Sequence, residues 1–318
     1  MITFKDASKR FANGAVAVDS LDLEIDKGEF FVLIGPSGCG KTTTLKMINR
    51  LIPLSDGTVW IKGKRISDYD IHELRWSIGY VLQQIGLFPH MTIAENIAVV
   101  PELKQWDKQK IKARVDELLH MVGLEPSEYR DRKPHELSGG QQQRIGVLRA
   151  LAADPEILLM DEPFSALDPF SREKLQDDLL DIQRKIKKTI VFVTHDMQEA
   201  VKLGDRICLM KDGKIVQLGT PQELISNPVN DFVREFVGEQ AVRFDWEKLV
   251  TPHGPSDIHS EHTSKVTLST PLHEVLEHFS EHELLNVEDQ GQFIGTIRRQ
   301  QVLEELADQL KKRGQLHE

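Results

Sequence analysis

Apolar residues recur along this chain in distinct rhythms. Phe30-Phe31-Val32-Leu33-Ile34, Ile157-Leu158-Leu159-Met160, the stretch 190–194 and the stretch 207–210 are almost continuously apolar. That is the pattern of a strand buried on both faces. Val16, Val18, Leu21, Leu23 and Ile25 instead alternate, imperfectly, and predict exposed antiparallel strands. Leu45, Ile48 and Leu51/Ile52 mark one face of a helix, and Ile111, Val115, Leu118, Leu119 and Val122 mark another that Gly123 stops. A further helix opens at Ser138-Gly139-Gly140 and runs to about Ala153, where Asp154-Pro155 ends it. Strands alternating with helices predict an α/β fold with a mainly parallel sheet, and the helical stretch at about 85–150 predicts a lobe beside it.

Residues 222–238 predict a terminal helical region ending near Gly238. Over 239–264 the periodicity fades, and Pro252, Gly254, Pro255, His253, His259 and His262 read as a polar linker with solvated histidines. A compact pattern then resumes. Val266 and Leu268 alternate, and Leu272, Val275, Leu276 and Phe279 have helical spacing. Leu284–Val287 and Phe293–Ile297 flank an Asp289-Gln290-Gly291 turn, and Val302, Leu303, Leu306 and Leu310 predict a last helix. The expected organisation is a large domain at 1–238, a linker at 239–264 and a small β-α-β-β-α module at 265–318.

Composition narrows the function classes. The 318 residues are 40% hydrophobic and 28% charged, as in a soluble globular protein. No apolar run approaches the ~20 residues that span a bilayer, and Met1-Ile2-Thr3-Phe4-Lys5 lacks the layout of a secretory signal. Any membrane role is therefore expected from the cytoplasmic face, through a partner. Cys39 and Cys208 form no disulfide framework or metal spacing. A net charge of −10 argues against broad nucleic-acid binding, so no nucleic-acid partner is expected.

The candidate chemistry begins with Gly35-Pro36-Ser37-Gly38-Cys39-Gly40-Lys41-Thr42, which fits the phosphate-loop pattern G-x-x-x-x-G-K-[ST] and follows a continuous apolar run, as that pattern requires. A helix N-terminus offers unpaired N–H groups to phosphate, and glycines let the backbone approach closely. Lys41 is expected to bridge the β- and γ-phosphates of ATP, and Thr42 to ligate Mg²⁺. The run at 157–160 ends in Asp161-Glu162. Asp161 is expected to hold Mg²⁺ through water. Glu162 is expected to orient the attacking water or act as its base. Pro163 favours a sharp turn after them over a helix cap.

Leu137-Ser138-Gly139-Gly140-Gln141 lies between these motifs. The three strings, in this order, closely resemble the ATP-binding subunit of ABC transporters. The resemblance implies two subunits closed head to tail on two ATP molecules. It implies that Thr43 touches the α-phosphate, that His195 hydrogen-bonds the γ-phosphate, and that Gln83, rather than its neighbour Gln84, contacts Mg²⁺ or water. Ser138, Gly139, Gly140 and Gln141 would cap the γ-phosphate held by the other subunit, with Asp168 crossing the same interface. Phe11 matches the position that stacks on adenine, with a core role as the alternative.

The stretches Gln83-Gln84-Ile85-Gly86-Leu87-Phe88-Pro89-His90-Met91-Thr92, Val99-Val100-Pro101-Glu102-Leu103 and Gly146-Val147-Leu148-Arg149-Ala150-Leu151-Ala152 resemble the ATPases of bacterial glycine betaine/carnitine/choline importers. This implies separate permease subunits that dock on 85–91 and, indirectly, an extracytoplasmic substrate-binding protein. The C-terminal order resembles a single CBS-type module, either a sensor completed across the dimer or a remnant that stabilises it. An importer ATPase for another small solute and a soluble mechanochemical ABC ATPase are the alternative readings.

Overall fold

The computed structural model describes residues 1–84, 86–165, 167–241, 246–251, 264–268, 270, 272–289 and 292–314. Ile85, Ala166, His253, His259, His262, Gln290 and Gly291 lie outside them. Two compact units emerge, 1–234 and 235–318, with the division inside one helix.

The first unit begins with β1 (Ile2–Arg10), β2 (Val16–Ile25) and β3 (Phe30–Ile34), then α1 (Lys41–Ile48), β4 (Asp56–Ile61), β5 (Lys64–Arg65), α2 (Ile71–Trp76) and β6 (Ile78–Val81). A helical stretch follows: α3 (Ile93–Leu103), α4 (Lys108–Met121), α5 (Pro126–Tyr129) and α6 (Gly139–Leu151). Next come β7 (Ile157–Asp161), α7 (Pro169–Ile186), β8 (Thr189–Val193), α8 (Met197–Leu203), β9 (Arg206–Lys211), β10 (Lys214–Gly219), α9 (Pro221–Ser226) and α10 (Asp231–Ala241). The second unit holds α11 (Trp246–Leu249), β11 (Lys265–Thr267), α12 (Leu272–Glu281), β12 (Leu284–Asp289), β13 (Gln292–Arg298) and α13 (Arg299–Gly314).

Six strands form the main sheet in the order β10-β9-β3-β8-β7-β6. Its pairings from β9 to β6 are parallel, and β10 closes the edge as an antiparallel hairpin with β9. All residues of β3, β7 and β8 are buried, which is why their sequences carry no polar phase. A second, antiparallel sheet (β2-β1-β4-β5) packs through Ile2, Phe4, Leu23, Ile25 and Val59 into a core shared with Phe31, Leu33, Leu159 and Val193 of the main sheet. Leu45, Met47 and Ile48 of α1 belong to the same core, so the helix that follows the glycine loop is clamped along its length. No helix among the described residues is long and apolar enough to cross a membrane.

Several expectations need correction. The alternating residues of β2 are not on exposed strands: Val18, Leu21, Leu23 and Ile25 are buried, and only Val16 is exposed. The phase slip between Val18 and Leu21 is a bulge, with Ser20 at φ 48° and a register shift against β1. α1 stops at Ile48 because Arg50 turns left-handed at φ 55°, leaving Leu51 exposed. The expected terminal helix at 222–238 is two helices, α9 and α10, and the second runs past Gly238 to Ala241. Part of the expected linker is structured: Trp246, Leu249 and Val250 pack with Val266, Val275, Phe279, Leu285 and Ile297. Thr251 also bridges to Thr296, an approach that leaves no room at Gly295, where a β-carbon would lie 2.4 Å from the Thr251 carbonyl oxygen. From β11 to α13 the small unit has the order β-α-β-β-α.

Candidate functional site

The carboxyl ends of β3, β6, β7 and β8 lie side by side in the sheet, and each is followed by one of the candidate segments. Ligands of open parallel sheets bind at such ends. The glycine loop leaves β3 and enters α1 with Gly40 as N-cap at φ 104°. Two of its glycines are demanded by packing against the chain itself. A β-carbon at Gly35 would lie 2.2 Å from the Met210 carbonyl oxygen, and one at Gly40 would lie 2.3 Å from that of Ala17. At Gly38 it would meet nothing within 4 Å, so there the loop faces open space and the glycine serves its φ of 80°. Pro36 is half-buried, Ser37 exposed and Cys39 buried. Lys41 is 5% exposed, and its Nζ donates to the carbonyl oxygens of Gly35 (2.7 Å) and Pro36 (3.0 Å). The loop is thus wrapped around its own ammonium, a cradle suited to phosphate oxygens at a helix N-terminus. Thr43 is half-buried on the first turn of α1.

Thr42 Oγ1 donates to Asp161 Oδ1 at 2.7 Å. These are hard oxygen donors of the kind Mg²⁺ takes from a protein alongside phosphates and water, so the residues fit that ion. The other carboxylate oxygen, Asp161 Oδ2, accepts from Tyr80 Oη at 3.2 Å and faces Lys46 Nζ at 3.4 Å. Burial, and then the neighbouring Asp161 carboxylate, push the Tyr80 phenol well up, so it stays a donor.

Glu162 has φ 43°, in the left-handed region that β-carbons disfavour. Its N–H donates to the Val193 carbonyl oxygen at 3.0 Å, and its own carbonyl oxygen accepts from Ser165 Oγ at 3.0 Å, which pins the turn. The conformation costs energy that these hydrogen bonds offset. Gln83 Nε2 donates to Glu162 Oε2 at 3.3 Å, and His195 Nδ1 lies 3.3 Å from the same oxygen. The His195 ring is 58% exposed and the Glu162 side chain 20%. One carboxylate oxygen therefore gathers groups from three strand ends. Thr194 orients the histidine turn: its hydroxyl donates to the buried Glu199 (2.6 Å) and accepts from the Asp196 N–H (3.0 Å). Burial raises the Glu199 carboxyl, and the Thr194 hydroxyl opposes that shift. Burial likewise raises both cysteine thiols, Cys208 to about 12, so neither is a ready nucleophile.

Ser138 caps α6 with a reciprocal box: its Oγ accepts from the Gln141 N–H, and Gln141 Oε1 accepts from the Ser138 N–H. Gln141 Nε2 also reaches Tyr129 Oη at 3.4 Å. Gly139 is exposed and would admit a β-carbon freely, whereas one at Gly140 would press Ser171 at 3.0 Å. Asp168 caps α7 by accepting from the Ser171 N–H at 3.0 Å. Phe11 is 41% exposed, which removes the core alternative, and Lys9 Nζ lies 5.3 Å from its ring centre. The structure thus brings Lys41, Thr42, Asp161, Glu162, Gln83 and His195 to one sheet end. Ser138 and Gln141 bond each other and Tyr129, and Asp168 caps its own helix. Tyr80 and Lys46 went unrecognised in the sequence. Lys46 lies four residues after Thr42, on the same helix face, which is the signal that was there to use.

A strand, glycine loop and helix, with paired acids at the end of a strand one removed in the same parallel sheet, define a P-loop nucleotide-binding protein. The family model for ABC transporter matches residues 18–165. The chain is 47% identical over 308 residues to the osmoprotectant import ATP-binding protein OsmV of Salmonella typhimurium, covering 95% of this chain and 80% of that one. It is 60% identical over 240 residues to the glycine betaine/carnitine/choline transport ATP-binding protein OpuCA of Bacillus subtilis, covering 76% of this chain and 63% of that relative's length. Among solved structures, a dimeric ATP-binding cassette in a post-hydrolysis state with ADP and Pi matches with 36% identity and a TM-score of 0.63, over 70% of this chain and 99% of that one. The chain belongs to the ATP-binding proteins of ABC transporters.

Proposed function

We propose that this chain is the ATP-hydrolysing subunit of an importer for small quaternary-amine osmolytes. Two copies close head to tail on ATP at the cytoplasmic face of a membrane and drive separate permease subunits. An extracytoplasmic binding protein delivers the solute, which the ATPase never touches. The observation that carries the reading is the convergence on Glu162 Oε2 of Gln83 and His195, beside the Lys41 loop and Asp161. The printed functions of OsmV and OpuCA support the solute class.

In this reading the backbone from Gly35 to Gly40 and the side chains of Lys41, Thr42 and Thr43 wrap the phosphates. Lys41 exchanges its loop carbonyls for phosphate oxygens. Thr42 and Asp161, with Gln83 as a further contact, would hold Mg²⁺. That ion, when bound, neutralises charge on the phosphates. Glu162 orients the attacking water, and Gln83 and His195 keep its oxygen in place until the γ-phosphate draws His195 away. Phe11 stacks on adenine. Ser138, Gly139, Gly140 and Gln141 of the second copy close over the γ-phosphate, with Asp168 beside them. The small C-terminal unit is a CBS-like module following the ATPase domain.

Uptake of labelled glycine betaine, choline and carnitine at high osmolarity tests the proposal. In a deletion strain, wild type restores uptake and Glu162→Gln does not. Uptake indifferent to the gene moves the solute to another class. Phe88 is 41% exposed on the segment after Gln83 that is assigned to the permease. Phe88→Asp is expected to abolish transport while leaving ATP binding unchanged, and loss of ATP binding by this variant contradicts the docking assignment.

A further inference from the structure

Asp161 ends β7 with its carboxylate 5% exposed, and its two oxygens are used differently. Oδ1 faces the glycine loop through Thr42 Oγ1 at 2.7 Å. Oδ2 is taken from the other side by Tyr80 Oη at 3.2 Å and Lys46 Nζ at 3.4 Å. Carboxylate torsions are broad and roughly two-fold, so an acid held at one oxygen turns easily. Donors on both oxygens remove that freedom. We propose that Tyr80 and Lys46 are positioning residues for the metal: they anchor Oδ2 so that Oδ1 is presented, on the Thr42 side, to Mg²⁺. This rests on the reading of Asp161 as the Mg²⁺ partner.

The placement of the two donors supports it. Lys46 lies one helical turn beyond Thr42 on α1, so one rigid element carries the hydroxyl and the countercharge. A buried carboxylate without a nearby cation is expensive, and Lys46 supplies the cation from a side chain one-third exposed. Tyr80 is on β6, which pairs with β7 in register Tyr80↔Leu159 and Val81↔Met160. Tyr80, within β6, reaches Asp161, while Gln83, just past the end of that strand, reaches Glu162. Second-sphere hydrogen bonds of this kind typically change metal affinity by about 10–100-fold.

The test is a Mn²⁺ titration, followed by electron paramagnetic resonance, of the full chain with a non-hydrolysable ATP analogue. Wild type, Tyr80→Phe, Lys46→Met, Lys46→Arg and Asp161→Asn are compared, each also titrated with the analogue in the absence of metal. Tyr80→Phe and Lys46→Met are expected to weaken Mn²⁺ binding on the order of 10-fold, with metal-free analogue affinity within about two-fold. Lys46→Arg is expected to recover most of the loss. Lys46 is on the helix surface, so its variants report even if Tyr80→Phe folds poorly. Wild-type Mn²⁺ affinity in Tyr80→Phe and Lys46→Met, with Asp161→Asn weakened, overturns the anchoring role alone. Unchanged affinity in Asp161→Asn overturns the metal role of Asp161 and the anchoring role with it.

Discussion

The starts of α1 and α6 are both glycine-bearing helix N-termini with backbone N–H groups facing outward. Around α1 stand a buried ammonium, a hydroxyl bonded to a carboxylate and, through Asp161, a second lysine and a tyrosine. Around α6 the polar side chains satisfy one another: Ser138 and Gln141 exchange hydrogen bonds, and Gln141 reaches Tyr129. The glycines differ as well. Gly40 is locked against the Ala17 carbonyl, whereas Gly139 faces open space. The same local motif is therefore a furnished site at α1 and a smooth, capped face at α6. The difference teaches that Gly139, unlike Gly140 beside Ser171, is unexplained by folding within one chain, as the proposed contact with another copy's phosphate requires.

The contrast can be broken first at the level of ligand binding. Lys41→Ala should weaken ATP binding on the order of 100-fold, since a charge-assisted contact to phosphate is lost from a buried position. Ser138→Arg should leave ATP affinity within about three-fold, because nothing bonded to the α1 loop is touched, yet abolish hydrolysis. Calorimetric titration with ATP and a phosphate-release assay on both variants check this. Equal losses of affinity would dissolve the distinction.

Stability gives effects of opposite sign. Gly40→Ala should destabilise the protein by about 3 kcal/mol, because its β-carbon collides with backbone. Gly139→Ala should change stability by less than about 1 kcal/mol, in the stabilising direction, since alanine is the better helix former and space is open. Denaturant melts measure both. A Gly139→Ala loss as large as that of Gly40→Ala would show that α6 needs its glycine to fold.

The same contrast explains what was legible in the sequence. Doubly buried strands such as β3, β7 and β8 announce themselves because no polar residue interrupts them. Ser138-Gly139-Gly140 and the Lys41 loop are legible because their chemistry is contiguous in the chain. The bulge at Ser20 was not, because it slips the period by one residue and mimics weak alternation. α7 was overlooked although Asp168-Pro169 opens it and Leu175, Leu179 and Ile182 mark its buried side. Trp246 looked like a linker residue because its core partners come from the β11–α13 segment. Tyr80 carries no local signal: its bond to Asp161 spans 81 residues, and no local pattern reports such a contact. Likewise Gly35 and Gly40 were read as phosphate contacts, and the carbonyls that crowd them belong to other strands, β9 and β2.

The central claim is that the α6 face of one copy completes the α1 site of another. Sedimentation of Glu162→Gln, with and without ATP, tests it most directly when set beside the double variant Glu162→Gln/Ser138→Arg. The account predicts that ATP shifts Glu162→Gln from the mass of one 36.2 kDa chain to that of two, and that the double variant binds ATP yet shows no ATP-dependent shift. An ATP-driven dimer that survives Ser138→Arg, or a Ser138→Arg change that removes ATP from the single chain, would contradict it.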